Sequence, residues 1–228
     1  GLGAALNQGA LRAFSEGFSF LCTFDQDTTI FKNFRQKLIS SYLALSKKYK
    51  VGILAPSYKI GNSSKKIYHG IEEEFLITTA VQSGCLFTKE CIDVCGKFRE
   101  DFFIESIDTE FCLRAQNSGF KVGCCNMPIM EHGAGERLVK KIFSREIIVT
   151  NHSVDRLFLQ YRNYTFTFKL YWLSNPAWAI KSFLSMIKKY IIVCWFEDQK
   201  KEKGKSILRG VYLGLLTKNT FNSNKFDL

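Results

Sequence analysis

The stretch Phe18-Ser19-Phe20-Leu21-Cys22-Thr23-Phe24-Asp25-Gln26-Asp27 decides how the chain is read. Phe18 to Phe24 is a nearly continuous apolar run, which suits a central strand buried on both faces, as in parallel sheets. Asp25 and Asp27 follow at once, at the strand's C-terminal end, where open α/β sheets place their ligands. Residues i and i+2 of a strand point the same way, so both carboxylates face one side. Like charges so close repel, and a divalent cation is the usual means of keeping both ionised. Oxygen-only ligands suit Mg²⁺ or Mn²⁺. Taken alone, D-x-D also reads as a solvated turn after a strand.

Strand and helix alternate on both sides of this stretch. Upstream, Asn7 to Gly17 carries a short helical pattern in which Leu11 and Phe14 share a face and Gly17 is the stop. Downstream, Phe31, Phe34, Leu38, Tyr42 and Leu45 recur at helical spacing, predicting an amphipathic helix from Thr29 to about Lys48. Val51 to Ala55 reads as a strand ended by Pro56, and Ser57 to Glu74 as a polar loop or hairpin. A strand over Phe75 to Val81 leads to a tight point at Ser83-Gly84 and a short helix from Thr88 to Cys95, ended by Gly96. Phe102 to Ile104 looks strand-like. It leads into a helix from Ile107 to Ser118, stopped by Gly119, and then a strand from Phe120 to Cys125, closed by Pro128. The class is α/β with a mostly parallel sheet.

The 228 residues can bury one good core with a smaller attached region. Hydrophobic residues make up 46% and charged ones 23% of the chain, which excludes a disordered protein. The net charge of +11 is uneven: residues 1–150 contribute +3 and residues 151–228 contribute +8. The expected organisation is therefore a core over 1–150 and a helical, basic, aromatic-rich region over 151–228. That basic region needs an anionic counterpart, and an anionic membrane surface fits its mix of aromatic residues and lysines from Ile180 to Phe196. Arg156 and Arg162 are candidate phosphate contacts. Nucleic acid is not expected, since the basic residues follow no recognisable binding motif. The eight cysteines lack the paired spacing that holds zinc and read as reduced, buried thiols of a cytosolic protein. No stretch approaches the ~20 apolar residues of a spanning helix.

Two further constellations carry chemistry. The helix starting at Ile107 has Asp108 and Glu110 in its first turn, where the helix dipole favours acids and where a carboxylate can serve as general base. Glu110 and Arg114 are spaced to pair on that helix. Later, Met130-Glu131-His132-Gly133 ends a strand of the same sheet. With Gly133 and Gly135 beside it, His132 could reach a metal held by Asp25 and Asp27.

The order of these features resembles the family 2 glycosyltransferases. It runs from a small-residue segment with Asn7 and Gly9, through FDQD, QSGCLF, FREDFFIESIDTEFCLRAQNSGFKV and MEHG, to RLFLQYRN. Gln26 between the aspartates, the DTE-x-CLR run and Tyr161-Arg162-Asn163 are most similar to the bacterial rhamnosyltransferases of O-antigen synthesis. The resemblance covers about residues 1–165 and implies a GT-A fold, a Rossmann-like sheet flanked by helices. It implies that Asp25 and Asp27 bind the cation and donor diphosphate, that His132 contacts the metal or the diphosphate, and that Asp108 is the catalytic base. Asn7, Gln82, Ser83 and Gly84 would line the donor site, although Leu6 stands where many members have arginine and Ile107 where an acid often precedes the base. The implied reaction is an inverting transfer from a nucleotide sugar, with dTDP-rhamnose suggested, to a saccharide or lipid-linked acceptor at the inner face of the plasma membrane. The family's first strand and nucleoside-binding turn would lie upstream of Gly1, so the expected chain is an N-terminally truncated core. A truncated inactive remnant, a basic binding module and a nucleotidyltransferase are the alternatives, the last lacking its glycine-rich phosphate loop.

Overall fold

A computed structural model describes residues 1–60, 74–132, 138–142 and 145–220. The described residues of 1–103 and 107–132 form one compact unit, and those of 104–106 and 138–220 form another.

The first unit opens with helix α1 (Leu2–Ser15), which starts earlier than the sequence pattern suggested. Its buried face is Gly3, Leu6, Asn7, Ala10 and Phe14, so Leu11 does not share the inward face of Phe14. Two short strands follow, β1 (Phe20–Cys22) and β2 (Thr28–Ile30), and then helix α2 (Phe34–Ser46). The expected helix start at Thr29 gives way to β2, whose β-branched Thr28-Thr29-Ile30 suits a pleated ladder better than a helix. Strand β3 (Val51–Ile60) does not end at Pro56. It runs through the proline with register shifts on either side of Ser57, the local irregularity that lets a strand tolerate a residue without an N–H. The loop expected from Ser57 to Glu74 is strand as far as Ile60, and its residues 61–73 lie outside the described residues.

Strands β4 (Glu74–Ile77) and β5 (Leu86–Thr88) come next, then helices α3 (Lys89–Cys95) and α4 (Ile107–Asn117). The hydroxyl of Thr88 caps α3 by accepting from the Cys91 amide at 3.1 Å. Gly96 and Gly119 end the two helices with φ of 80° and 88°. Strand β6 (Lys121–His132) continues past Pro128 and is the spine of the sheet.

The strand order is β1-β5-β3-β6-β2, with β4 also on β6. The α/β class holds, but the expectation of a mostly parallel sheet is corrected. Among the described strands of this sheet only β3 and β6 run parallel; β1–β5, β3–β5, β2–β6 and β4–β6 are antiparallel. Among the described strands β1 likewise lies at the edge, not at the centre. Phe18, Phe20 and Phe24 remain 58%, 38% and 46% exposed, and Phe20 and Phe24 lean on Tyr42 and Phe34 of α2. The core lies instead between α2 and the sheet, around Leu38, Leu45, Leu54, Ile129 and Met130. A second aromatic cluster joins Phe87, Phe98 and Phe111 beneath α3 and α4.

The second unit holds a hairpin, β7 (Leu138–Ile142) with β8 (Arg145–Val149), and three helices, α5 (Val154–Tyr171), α6 (Pro176–Phe196) and α7 (Lys200–Leu216). Gly210 and Gly214 let α7 lie directly on α5: a Cβ at either would come within 2.7 Å or less of a carbonyl oxygen, of Phe158 or Arg162. Leu157, Tyr161, Val193 and Ile207 form the centre of this bundle. No described helix is long and apolar enough to cross a membrane.

Candidate active site

Asp25, Gln26 and Asp27 occupy the turn between β1 and β2 rather than the strand itself. The loop 82–84, which the sequence had paired with them only through family resemblance, lies directly against this turn. The Gln82 side-chain amide donates to Asp25 Oδ1. The Asp25 backbone amide donates to Ser83 Oγ at 3.0 Å, and Ser83 Oγ shares a hydrogen bond of 2.6 Å with Thr28 Oγ1. Thr23 completes the clasp: its hydroxyl donates to the Gln82 carbonyl at 2.8 Å, and its own carbonyl accepts from the Gly84 amide at 2.6 Å. Gly84 has φ of 76°, and an added Cβ would lie 2.6 Å from Met130 Sδ and from Pro56 Cγ. The position therefore demands glycine on two counts, backbone conformation and space.

Ladder register brings in the third segment. Thr28, the residue after Asp27, pairs with His132 across β2 and β6. The backbone of His132 is therefore held beside the acidic turn; Gly133 and Gly135 lie outside the described residues. Asp108 sits in the first turn of α4 with its Oδ1 accepting from the Thr109 amide at 2.7 Å. Its charge is felt at Cys85, the residue after Gly84. The Cys85 thiol is pushed up first by burial, then by Cys112 and Cys22, and then by Asp108.

Helix α4 is anchored from below. Glu110, buried, forms a two-pronged ion pair with Arg114 at 2.8 and 3.1 Å, and Arg114 also donates to the carbonyls of Cys95 and Lys97. This is the pairing expected from the spacing, with a second task added: it ties α4 to the end of α3.

Asn7 has a different setting. Its amide donates to the Phe98 carbonyl and to Glu100 at 2.9 and 2.8 Å, while its oxygen accepts from the Phe98 amide at 2.7 Å. The side chain clasps α1 to the 98–100 loop. The strand-like reading of Phe102 to Ile104 is also corrected, since Phe103, Glu105 and Ser106 all have positive φ, from 63° to 66°. Such backbone costs energy for residues with a Cβ and persists only where its surroundings impose it. Asn163 Nδ2 holds the carbonyls of Ile104 and Glu105, and the Glu105 carboxylate accepts from Arg156 and Gln160. Arg156, taken from the sequence as a phosphate contact, is engaged by Glu105. This grip on 104–106 was not foreseen; the only signal was Asn163 within Tyr-Arg-Asn.

A divalent cation fits the acidic turn in kind. Asp25 and Asp27 supply oxygen donors, and the buried Gln82 Oε1 beside them has no hydrogen-bond partner among the described residues. Among the described residues no three His, Cys, Asp or Glu side chains gather closely enough to hold an ion. Mg²⁺ is commonly held by one or two carboxylates together with substrate phosphates, so so small a donor set remains adequate.

In sequence, the chain is 29% identical over 178 residues to the dTDP-rhamnosyl transferase RfbF of Shigella flexneri, covering 72% of this chain and 58% of that protein. The chain spans little more than half the length of that protein. No family model matches the chain. The solved structure of S. aureus TarS 1–349 superposes with a TM-score of 0.46 at 11% identity, covering 96% of this chain and 53% of that one.

Proposed function

We propose that the chain carries the catalytic core of an inverting glycosyltransferase of GT-A type that moves a sugar, L-rhamnose from dTDP-rhamnose, to a saccharide or lipid-linked acceptor in bacterial surface polysaccharide synthesis. The observation that carries this reading is the clasp between Asp25 and the Gln82-Ser83-Gly84 loop. Two segments far apart in sequence, each matched to the donor site by its own motif, meet through the Asp25 carboxylate and amide. The identity of the sugar rests on the relative's name.

In this reading Asp25 and Asp27, with His132, would hold Mg²⁺ or Mn²⁺, which when bound supplies positive charge opposite the nucleoside diphosphate leaving group. Gln82 fixes the orientation of Asp25, and Ser83 fixes the turn that carries it. Asp108, at a helix N-terminus where negative charge is favoured, accepts the proton of the acceptor hydroxyl as that oxygen attacks the anomeric carbon. Attack from the face opposite the departing diphosphate inverts the configuration.

Isothermal titration of dTDP-rhamnose and other sugar nucleotides, with and without Mn²⁺, tests the proposal. Cation-dependent binding is expected for the intact chain and none for Asp25→Ala. Binding that ignores both Mn²⁺ and Asp25→Ala would defeat the assignment of the acidic turn. Absence of binding for every donor would instead favour a remnant without transferase activity.

A further inference from the structure

Helix α6 is apolar on two sides. One side faces the bundle: Ala179 and Val193 are buried, and Met186 and Tyr190 pack against its centre. The other side faces solvent. Ile180, Leu184, Ile187, Ile191 and Trp195 recur at spacings of three and four, which places them in one stripe. All are exposed, Ile180, Leu184 and Trp195 to 62%, 59% and 69%. An outward helix face is ordinarily its polar one, and a contiguous exposed apolar strip marks an interaction surface. Lys181 and Lys188, both exposed, each follow an outward isoleucine and border the stripe along one flank. Between Pro176 and Phe196 there is no acidic residue.

We propose that this stripe is a docking face for a lipid bilayer with anionic headgroups, on which α6 lies in the plane of the interface. Two observations select this occupant. Bordering lysines beside an apolar stripe match the layering of an acyl boundary under phosphate headgroups, with the lysine stems reaching outward along the apolar surface. The net charge of +8 over residues 151–228 attracts an anionic surface and opposes the approach of a second copy through the same face. Trp195 at the helix end adds an amphipathic ring of the type that settles at headgroup level.

Flotation of the full chain with lipid vesicles tests this without any sugar nucleotide, so a failed transferase assay leaves it standing. The protein should float with phosphatidylcholine vesicles containing one-third phosphatidylglycerol, and far less with phosphatidylcholine alone. The double variant Leu184→Glu/Ile191→Glu should lower partitioning by more than about tenfold, and Lys181→Glu/Lys188→Glu by about tenfold. Both pairs are exposed, and unchanged circular dichroism would show that the fold is intact. Wild-type protein that stays unbound by anionic vesicles at low salt overturns the proposal. So does a dimer in sedimentation equilibrium that Leu184→Glu/Ile191→Glu dissolves while vesicles capture nothing, since the face would then belong to a protein partner.

Discussion

The two units both have mixed interiors and differ in what they leave outside. The sheet unit encloses phenylalanines, Phe87, Phe98, Phe102, Phe111 and Phe120 among them, and brings acids to a turn at its rim. The helical unit encloses polar groups beside its apolar centre of Leu157, Tyr161, Val193 and Ile207: Lys203 and Glu197 in an ion pair of 2.9 Å, along with Gln160, Asn163, Thr165 and Thr167, and it exposes leucine, isoleucine and tryptophan on α6. The difference teaches where each unit's specificity resides. Apolar packing lets the sheet unit hold a polar constellation at its edge. In the helical unit, an apolar centre and a buried ion pair together hold the helices and leave an apolar face of α6 outside.

The largest expected effect breaks that pairing. Glu197→Ala leaves the buried Lys203 ammonium uncompensated and should destabilise the helical unit by about 3–5 kcal/mol in urea titration followed by circular dichroism. Restoring the pair's shape without charge, Glu197→Gln with Lys203→Met, should recover most of the loss; failure to recover would mean the charges themselves specify the packing. In the sheet unit, Gly84→Ala forces a Cβ into the left-handed region against Met130 and Pro56. It should cost about 1–3 kcal/mol and weaken sugar-nucleotide binding together with stability. If stability falls but binding holds, the loop's grip on Asp25 is irrelevant to the donor.

A pH series sharpens the contrast further. The His152 imidazole is held down to about 4 from its usual 6.5, first by burial and then by Lys189 and Arg156. Between these values the unfolded chain binds a proton that the folded one does not. Stability of the helical unit should therefore be full above about pH 6.5 and decline as pH falls towards 4. His152→Asn should flatten that decline in thermal melts, and an unaltered slope would exclude His152 as its source. Smallest of all, Leu184→Ser and Ile191→Ser should shift stability by no more than about 0.5 kcal/mol, because both side chains are exposed.

What the sequence made legible was local. Ile107 to Asn117 with Gly119, and the short helix capped by Thr88 and ended by Gly96, carry their own start and stop signals. Strand direction and position do not. Phe18 to Phe24 has the composition of a two-sided strand, yet which neighbour it pairs with is decided by residues far along the chain, so its edge position and antiparallel partner were invisible. The positive-φ run at Phe103, Glu105 and Ser106 contains no glycine to announce it; Asn163 and the partners of Glu105 impose it from outside. The association of Asp25 with Gln82 and Ser83 was available only through family resemblance, since no periodicity links a turn to a loop so far downstream.

The pairing of Thr28 with His132 has a consequence in time. Strand β2 gains its ladder only when a partner more than a hundred residues later has arrived, and closing so long a loop is entropically costly and slow compared with forming α4 or the α5–α7 contact. On the ribosome, the acidic turn between β1 and β2 must therefore wait, unformed, until β6 has been synthesised and has emerged. Its aspartates take their final places late in the life of the nascent chain, well after the earlier helices α1, α2 and α3 can begin to form.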